Sequence, residues 1–439
     1  MTTTHERIKT VLLIVLIVGA VFMAYSTWFY DNPVGALIGG NISGVRGDYA
    51  MQSSVAQAEM EPMRISVKNE YGRFGAEYSP AAVENMYDLT RGLMAEALSV
   101  QSGNWRSVNE DYWRASLGYK SVLYDYQGLV RADTVTQWLW GGQSEAGNIK
   151  GRYVLLTVNP KNEKTFIVIK NPYTGEVYSS ETQVDKATAL GVIDSVTGES
   201  HNLAMELAGT DYENLVPESF VKEGYKPRVI GGFNAMLYFN DEQRASFLKS
   251  FGFAPYSVSE HVESDGTRVY IEEDATVRIE NDGFAVYTYT GSDAQTGVFV
   301  QSAQQIPSAT EVFETARILV SRLAAVAGGE GKLYPQDFRY FSEYNCWVAD
   351  FGWSVNAIPV DRQDTGYAAR VVISDRRVSE IHFYMRSYQS TEREAKGISK
   401  KLAAAAVSGL DGECELELRY TDAGQAELEP VWYRKNSEK

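Results

Sequence analysis

Four histidines and two cysteines are the first places to look for catalysis or metal binding in this 439-residue chain. His5, His201, His261 and His382 are scattered, and no HxH or HxxxH spacing pairs them as metal ligands. Cys346 and Cys414 stand 68 positions apart. They form one bridge if the fold brings them together, or act as two small buried hydrophobes. No GxSxG, HExxH, SxxK or P-loop string occurs, and Gly39-Gly40 has no strand–helix unit around it to cradle a phosphate. Glu272, Glu273 and Asp274 lack the spacing and the glycine of an EF-hand loop, so they read as a solvated turn. His261 near Glu260 and Glu263, and His382 near Glu380, are places where a base could be oriented. With no nucleophile beside them, both read as structural. The expectation is a protein that is not an enzyme, with no catalytic, cofactor or metal site.

The other residues whose type and spacing imply work are Gly19, Ala20 and Ala24. Small residues four apart let membrane helices approach closely, so these three are the expected partner-binding face. They lie in Ile8–Tyr30, IKTVLLIVLIVGAVFMAYSTWFY, which carries no charge between Lys9 and Asp31. As a helix this stretch is about 34 Å long, enough for a hydrocarbon core of about 30 Å. Arg7 and Lys9 place the short N-terminus in the cytoplasm, and Trp28, Phe29 and Tyr30 suit the outer interface. A signal-peptide cut after Val18 and Ala20 is the rival, but the apolar run continues well past it. The expected location is the cell membrane, single-pass, with the C-terminal part outside.

The elements that would stand outside the membrane read as hairpins with interspersed helices. Residues 1–7 are a tail, 8–30 the span, and 31–60 a Gly/Ser/Ala/Gln-rich stalk. An N-terminal α+β domain is expected over 61–228. It opens with a strand at Met63–Val67 and a helix from Ser79-Pro80 whose apolar face is Val83, Met86, Tyr87, Thr90, Leu93, Met94, Ala97 and Leu98. Strands at Ser121–Tyr126, Arg152–Val158 and Thr165–Lys170 follow, with a short helix after Asp133; 181–228 shows no clear period. A middle domain, 229–330, begins with a buried-strand signal at Asn234–Phe239. It contains a hairpin across Asn281-Asp282-Gly283 and a capping box at Ser308–Glu311. The C-terminal domain, 331–439, carries a second capping box at Thr391–Glu394, before a helix faced by Ile398, Leu402, Ala405 and Ala406, and a closing hairpin. The two capping boxes suggest a weak repeat of architecture. The fold class is α+β: one N-terminal transmembrane helix followed by an extracellular multi-domain ectodomain of antiparallel sheets with packed helices.

Composition narrows the function classes. Hydrophobic residues at 44% supply real cores, and the net charge is −16. The first 30 residues contribute +1, leaving −17 beyond them. Phosphate contacts need clustered Lys and Arg, so nucleic acid is excluded as a partner. The 28 tyrosines serve packing on strands first and interface contact second.

The order of motifs resembles the YycH/YycI family, membrane-anchored regulators of the YycG (WalK) sensor histidine kinase of Gram-positive bacteria. The resemblance runs from RIKTVLLIVL through SVLYDYQG, AMLYFNDEQR and GTRVYIEEDATVRIENDGFAVYTY. It continues with FGWSVNAIPVDR, RVVISDRRVSEI and LELRYTDAGQAELEPVWYR, which ends in Pro430, Val431 and Trp432. Length and single-anchor topology favour the YycH branch over the shorter YycI, while Ala357 stands where a glycine is more usual. The resemblance implies a two-component system regulator of cell-wall metabolism. It would act through helix contact with the kinase and association with a paralogous YycI-like protein, without catalysis. A cell-wall hydrolase and a glycan- or peptide-binding module are the alternatives.

Overall fold

The computed structural model describes residues 60–436, apart from 100–103, 143–145, 208, 223, 292–296, 303, 409 and 411. The expected tail, span and stalk therefore lie outside the described residues, Met60 excepted. From there the chain runs β1 (Arg64–Asn69), β2 (Gly72–Ala76), α1 (Pro80–Ser99), β3 (Arg106–Val108), α2 (Glu110–Gly118), β4 (Ser121–Arg131) and α3 (Ala132–Trp140). Then come β5 (Lys150–Asn159), β6 (Lys164–Lys170), β7 (Val177–Glu181), α4 (Lys186–Ser195), β8 (Asn202–Leu203) and β9 (Phe220–Val221). β1 to β7 make one sheet in the order β2-β1-β4-β5-β6-β7-β3. Alternation gives each central strand two buried faces. Val122, Tyr124, Leu156 and Ile167 join α1 and α4 on one side. Leu123, Leu155, Phe166 and Val168 join Trp113 and Leu117 of α2 on the other. All eight residues expected on the α1 apolar face are buried.

The second half is β10 (Arg228–Asn234), α5 (Asp241–Ser250), β11 (Ser259–Val262), β12 (Arg268–Glu272), β13 (Ala275–Ile279), β14 (Phe284–Tyr289) and α6 (Ala309–Ala327). It continues with β15 (Lys332–Phe341), β16 (Cys346–Val355), β17 (Ile358–Arg362), β18 (Ala369–Ser374), β19 (Arg377–Tyr384) and β20 (Arg386–Glu394). α7 (Lys400–Val407), β21 (Cys414–Asp422), β22 (Glu427–Leu428) and β23 (Pro430–Asn436) end it. The large sheet runs β11-β12-β13-β14-β19-β18-β16-β17-β21-β23, with β15 also on β16; β20-β10-β22 form a small one. Because β14 pairs with β19, a single sheet spans the expected boundary at 330/331. Helix α6 starts at the Ser308–Glu311 capping box and buries Val312, Phe313, Ala316, Leu319, Val320 and Leu323 against that sheet. The class is mixed α+β with antiparallel pairing throughout the named ladders except β17 with β21, which run parallel.

Four local expectations are corrected. Asn234–Phe239 is not a buried strand. β10 ends at Asn234, whose side chain accepts from the Met236 N–H and turns the chain into a 3₁₀ segment, Ala235–Tyr238, leaving Leu237 72% exposed. Thr391–Glu394 is not a capping box but the end of β20, laddered on β10, and the Thr391 hydroxyl donates to the Val229 carbonyl. Helix α7 is capped instead by Ser399 and buries Lys400, Ala403 and Ala404, while Leu402 is 60% exposed. The architectural repeat therefore falls away. The stretch 181–228 does contain a helix, α4, capped by Asp185.

Two stretches of backbone take conformations that the neighbouring packing or turn requires. β4 is bulged between Asp125 and Val130, with Gln127 at φ 67. At Gly128 a Cβ would sit 2.0 Å from the Pro335 carbonyl oxygen, so only glycine lets β15 approach β4 this closely. At the β16–β17 turn, Asn356 and Ala357 both adopt left-handed φ, 53 and 57, which explains physically why glycine suits position 357.

Candidate functional site

Gly19, Ala20 and Ala24 lie outside the described residues. Among the described residues no helix is long and apolar enough to cross a membrane. His261 is exposed on β11, and its acidic neighbours are engaged elsewhere: Glu260 with Arg268 at 2.6 Å, Glu263 with Arg278 at 2.6 Å. The Glu272 carboxylate accepts from the Ala254 N–H, which makes it a loop brace. Cys346 and Cys414 are free thiols, both buried, and burial pushes the Cys346 thiol up. His201 is buried, stacked on Phe220 at 5.2 Å, and desolvation first, then Arg73, lowers its pKa to about 3.

The structure does bring His382 and Glu380 together. Register places Asp350, Arg370 and His382 directly across from one another on β16, β18 and β19. Arg370 grips Asp350 with two bonds, 2.6 and 2.8 Å, and lies 4.2 Å over the Tyr367 ring. The Tyr367 hydroxyl meets His382 Nδ1 at 2.7 Å, and Glu380 takes Nε2. Both ring nitrogens are thus occupied, and the hydroxyl in the string, that of Tyr367, is a buried phenol tied to the imidazole ring. The chemistry of the string is that of an oriented polar belt, buried at Asp350 and Tyr367 and partly exposed at Arg370 and His382.

A second convergence has no counterpart among the sequence motifs. Arg152 on β5 is wholly buried and donates to Asp125 of β4 at 2.7 and 2.9 Å. Its terminal nitrogens also reach Glu415 at 2.6 and 2.7 Å and Glu417 at 2.8 Å, both on β21, some 260 residues away in sequence. Gln127, aimed by the β4 bulge, donates to Glu417 at 2.8 Å. Arg419 holds Glu417 through Nε at 2.8 Å and Asp361 at 2.6 Å. Arg64 lies 3.6 Å from Asp125 and 3.7 Å from Glu77, and Lys400 of α7 is 3.9 Å from Glu77.

Burial disfavours charge here, and pairing decides which groups keep it. For Arg152, Asp125 and Glu415 outweigh desolvation and hold the pKa well above normal. For Glu417, Arg419 and Arg152 outweigh burial and hold it well below the carboxylate range. For Glu415, burial wins over Arg152, and its pKa is raised. The sequence signal was a charge set inside an apolar strand: Asp125 in SVLYDY, Arg152 in GRYVLLTV, Glu415 and Glu417 in CELEL. These carboxylates converge in an ion-paired interior and not in a cleft.

Fold and clusters together define an α+β scaffold built on two large sheets and braced by a buried ionic junction. No protein-family model and no curated protein matches the chain. Among solved structures, it is similar to the crystal structure of YycH from Bacillus subtilis. The TM-score is 0.50 and the identity 12%, over 87% of this chain and 95% of that one. The chain has a YycH-like fold.

Proposed function

We propose that this chain is a membrane-anchored, non-catalytic regulator of a YycG-like (WalK-like) sensor histidine kinase that controls cell-wall metabolism. The observation that carries the reading is the YycH-like fold, which extends over 95% of the YycH chain and agrees with the motif order. In this reading Ile8–Tyr30 is a single span with the N-terminus in the cytoplasm, and Gly19, Ala20 and Ala24 face the kinase helix. A helix contact that differs between two kinase states shifts their populations by its differential energy, without any chemistry at this chain. A paralogous YycI-like protein is the second partner, through the outer domains.

Co-purification from membranes tests it. The kinase is expected to be captured by the intact chain, and Ala20→Leu with Ala24→Leu to weaken capture about tenfold, equivalent to ~1.4 kcal/mol of helix contact. Equal capture by the bulky variant removes the helix mechanism, and no capture by the intact chain removes the kinase as partner.

One observation favours a second reading. The β15–β16 hairpin presents Tyr340, Phe341 and Tyr344 to solvent, with Tyr340 packed 5.0 Å from Trp347. A glycan- or peptide-binding module would use such a tip. Sedimentation with purified peptidoglycan, lost in Tyr344→Ala, is the expected result for that module.

A further inference from the structure

The large sheet ends at β11, and the outer edge of that strand carries unpaired backbone. β11 pairs with β12 in the register Ser259↔Ile271 to Val262↔Arg268. Just beyond it the Glu263 N–H donates to the Thr267 carbonyl at 2.9 Å, which sets the phase of the antiparallel ladder. Alternate residues bond to alternate sides, so Ser259 and His261 bond toward β12, while the N–H and C=O groups of Glu260 and Val262 point away from the sheet. All four β11 residues are exposed, and among the described residues no strand pairs with that edge. Two other sheet margins are covered. At β2 the Gly75 N–H donates to the Glu199 carbonyl and the His201 N–H to the Arg73 carbonyl, at 3.0 and 3.1 Å. At β20 the Glu330 N–H donates to the Tyr388 carbonyl at 2.8 Å.

An open edge is a template for another strand, and charge decides which strand it accepts. Residues 259–282 carry eight carboxylates against Arg268 and Arg278. Both arginines are already engaged, Arg268 with Glu260 and Arg278 with Glu263, each at 2.6 Å. The surroundings of the edge are therefore acidic. A second copy of this chain would set like charge against like, whereas a cationic strand meets opposite charge. The turn before β11 adds an aromatic anchor. The Glu272 carboxylate accepts from the Ala254 N–H at 2.8 Å, and the Ser257 N–H closes back on the Ala254 carbonyl at 3.0 Å. Tyr256 stands on this pinned turn, 93% exposed and three residues ahead of β11, where its ring can receive a Lys or Arg side chain.

We propose that the β11 edge is a docking site for an extended, lysine- or arginine-bearing segment of a partner protein, which joins the sheet as a further strand. The backbone of Glu260 and Val262 supplies the pairing, the acidic hairpins select a cationic sequence, and Tyr256 covers one end. Docking here does not depend on the helix contact at Ile8–Tyr30.

The probe is a synthetic hexapeptide of alternating lysine and valine, titrated calorimetrically into the full chain in detergent. Saturable binding is expected, weakened about tenfold or more by Val262→Pro, which removes one outward N–H and leaves the β12 ladder intact. An alternating glutamate–valine peptide, and the lysine–valine peptide with every backbone amide methylated, are expected not to bind. Equal binding of the glutamate peptide overturns the cationic preference, and equal binding of the methylated one overturns strand pairing. No binding of the lysine–valine peptide, or undiminished binding to Val262→Pro, overturns the site. If Val262→Pro does not fold, amide hydrogen exchange of the native chain decides. The Glu260 and Val262 amides are expected to become protected when the peptide is added, and unchanged exchange there overturns the proposal.

Discussion

Arg152 and Arg370 each hold a carboxylate through two bonds of nearly equal length. Arg152 meets Asp125 at 2.7 and 2.9 Å, and Arg370 meets Asp350 at 2.6 and 2.8 Å. Arg152 is wholly buried, while the Arg370 side chain is 30% exposed and only its acid, Asp350, is buried. Matching geometry carries different consequences. Water and a neighbour stand ready beside Arg370, since Arg339 also lies 3.1 Å from Asp350. Nothing polar but the junction itself can take over from Arg152. Inside, a broken pair leaves uncompensated charge; at Asp350, itself buried, the half-exposed Arg339 remains as a second partner and takes over.

The largest effect is expected from Arg152→Gln, which takes from Glu415 its cation and leaves Asp125 and Glu417 to Arg64 and Arg419, and should cost about 3–5 kcal/mol in denaturant unfolding. A loss under about 1 kcal/mol would erase the contrast between the clusters. Glu206 lies between the extremes. Burial pushes its carboxyl up, but Arg73 and Lys68 prevail and hold it at about 2. Its contribution is present above the ordinary Glu pKa and disappears as pH falls from there toward about 2. This amounts to roughly 2 kcal/mol after solvent screening, and Glu206→Gln should abolish that part of the acid profile.

Ala357→Gly, away from both clusters, should relieve the left-handed turn and raise stability by about 0.5–1 kcal/mol. A loss instead would mean that unfolded-chain entropy outweighs turn strain. The smallest expected effect is Arg370→Ala, about 0.2–1 kcal/mol, shrinking further in 1 M salt, where exposed charges are screened over about 3 Å. The Arg152→Gln cost should barely respond to the same salt, and comparable salt sensitivity would place both clusters in one electrostatic regime.

Much of the scaffold was legible because its signals are local. The α1 stripe from Val83 to Leu98, the Ser308–Glu311 box and the Asp282-Gly283 turn each act within a few residues, where periodicity and capping chemistry settle the outcome. Thr391–Glu394 shows the limit. The same four residue types suit a cap or an edge strand, and the free ladder of β10 chose the strand. The residues picked for function, Gly19, Ala20 and Ala24, lie outside the described residues, while His382 and Glu380, read as structural, meet because they are two apart on β19, and register sets His382 opposite Arg370.

Sequence alone determined the α+β class, the buried faces of α1 and α6, the apolar run at Ile8–Tyr30 and the acidic balance, all properties of neighbouring residues or of totals. Only the tertiary structure decided that Arg152 would meet Glu415 and Glu417. Local propensity carries no information about a partner some 260 positions away. The pairing exists because the β4 bulge, the parallel β17–β21 contact and the packing of two sheets bring those strands to one dry interior, where burial raises Glu415 and pairing lowers Glu417.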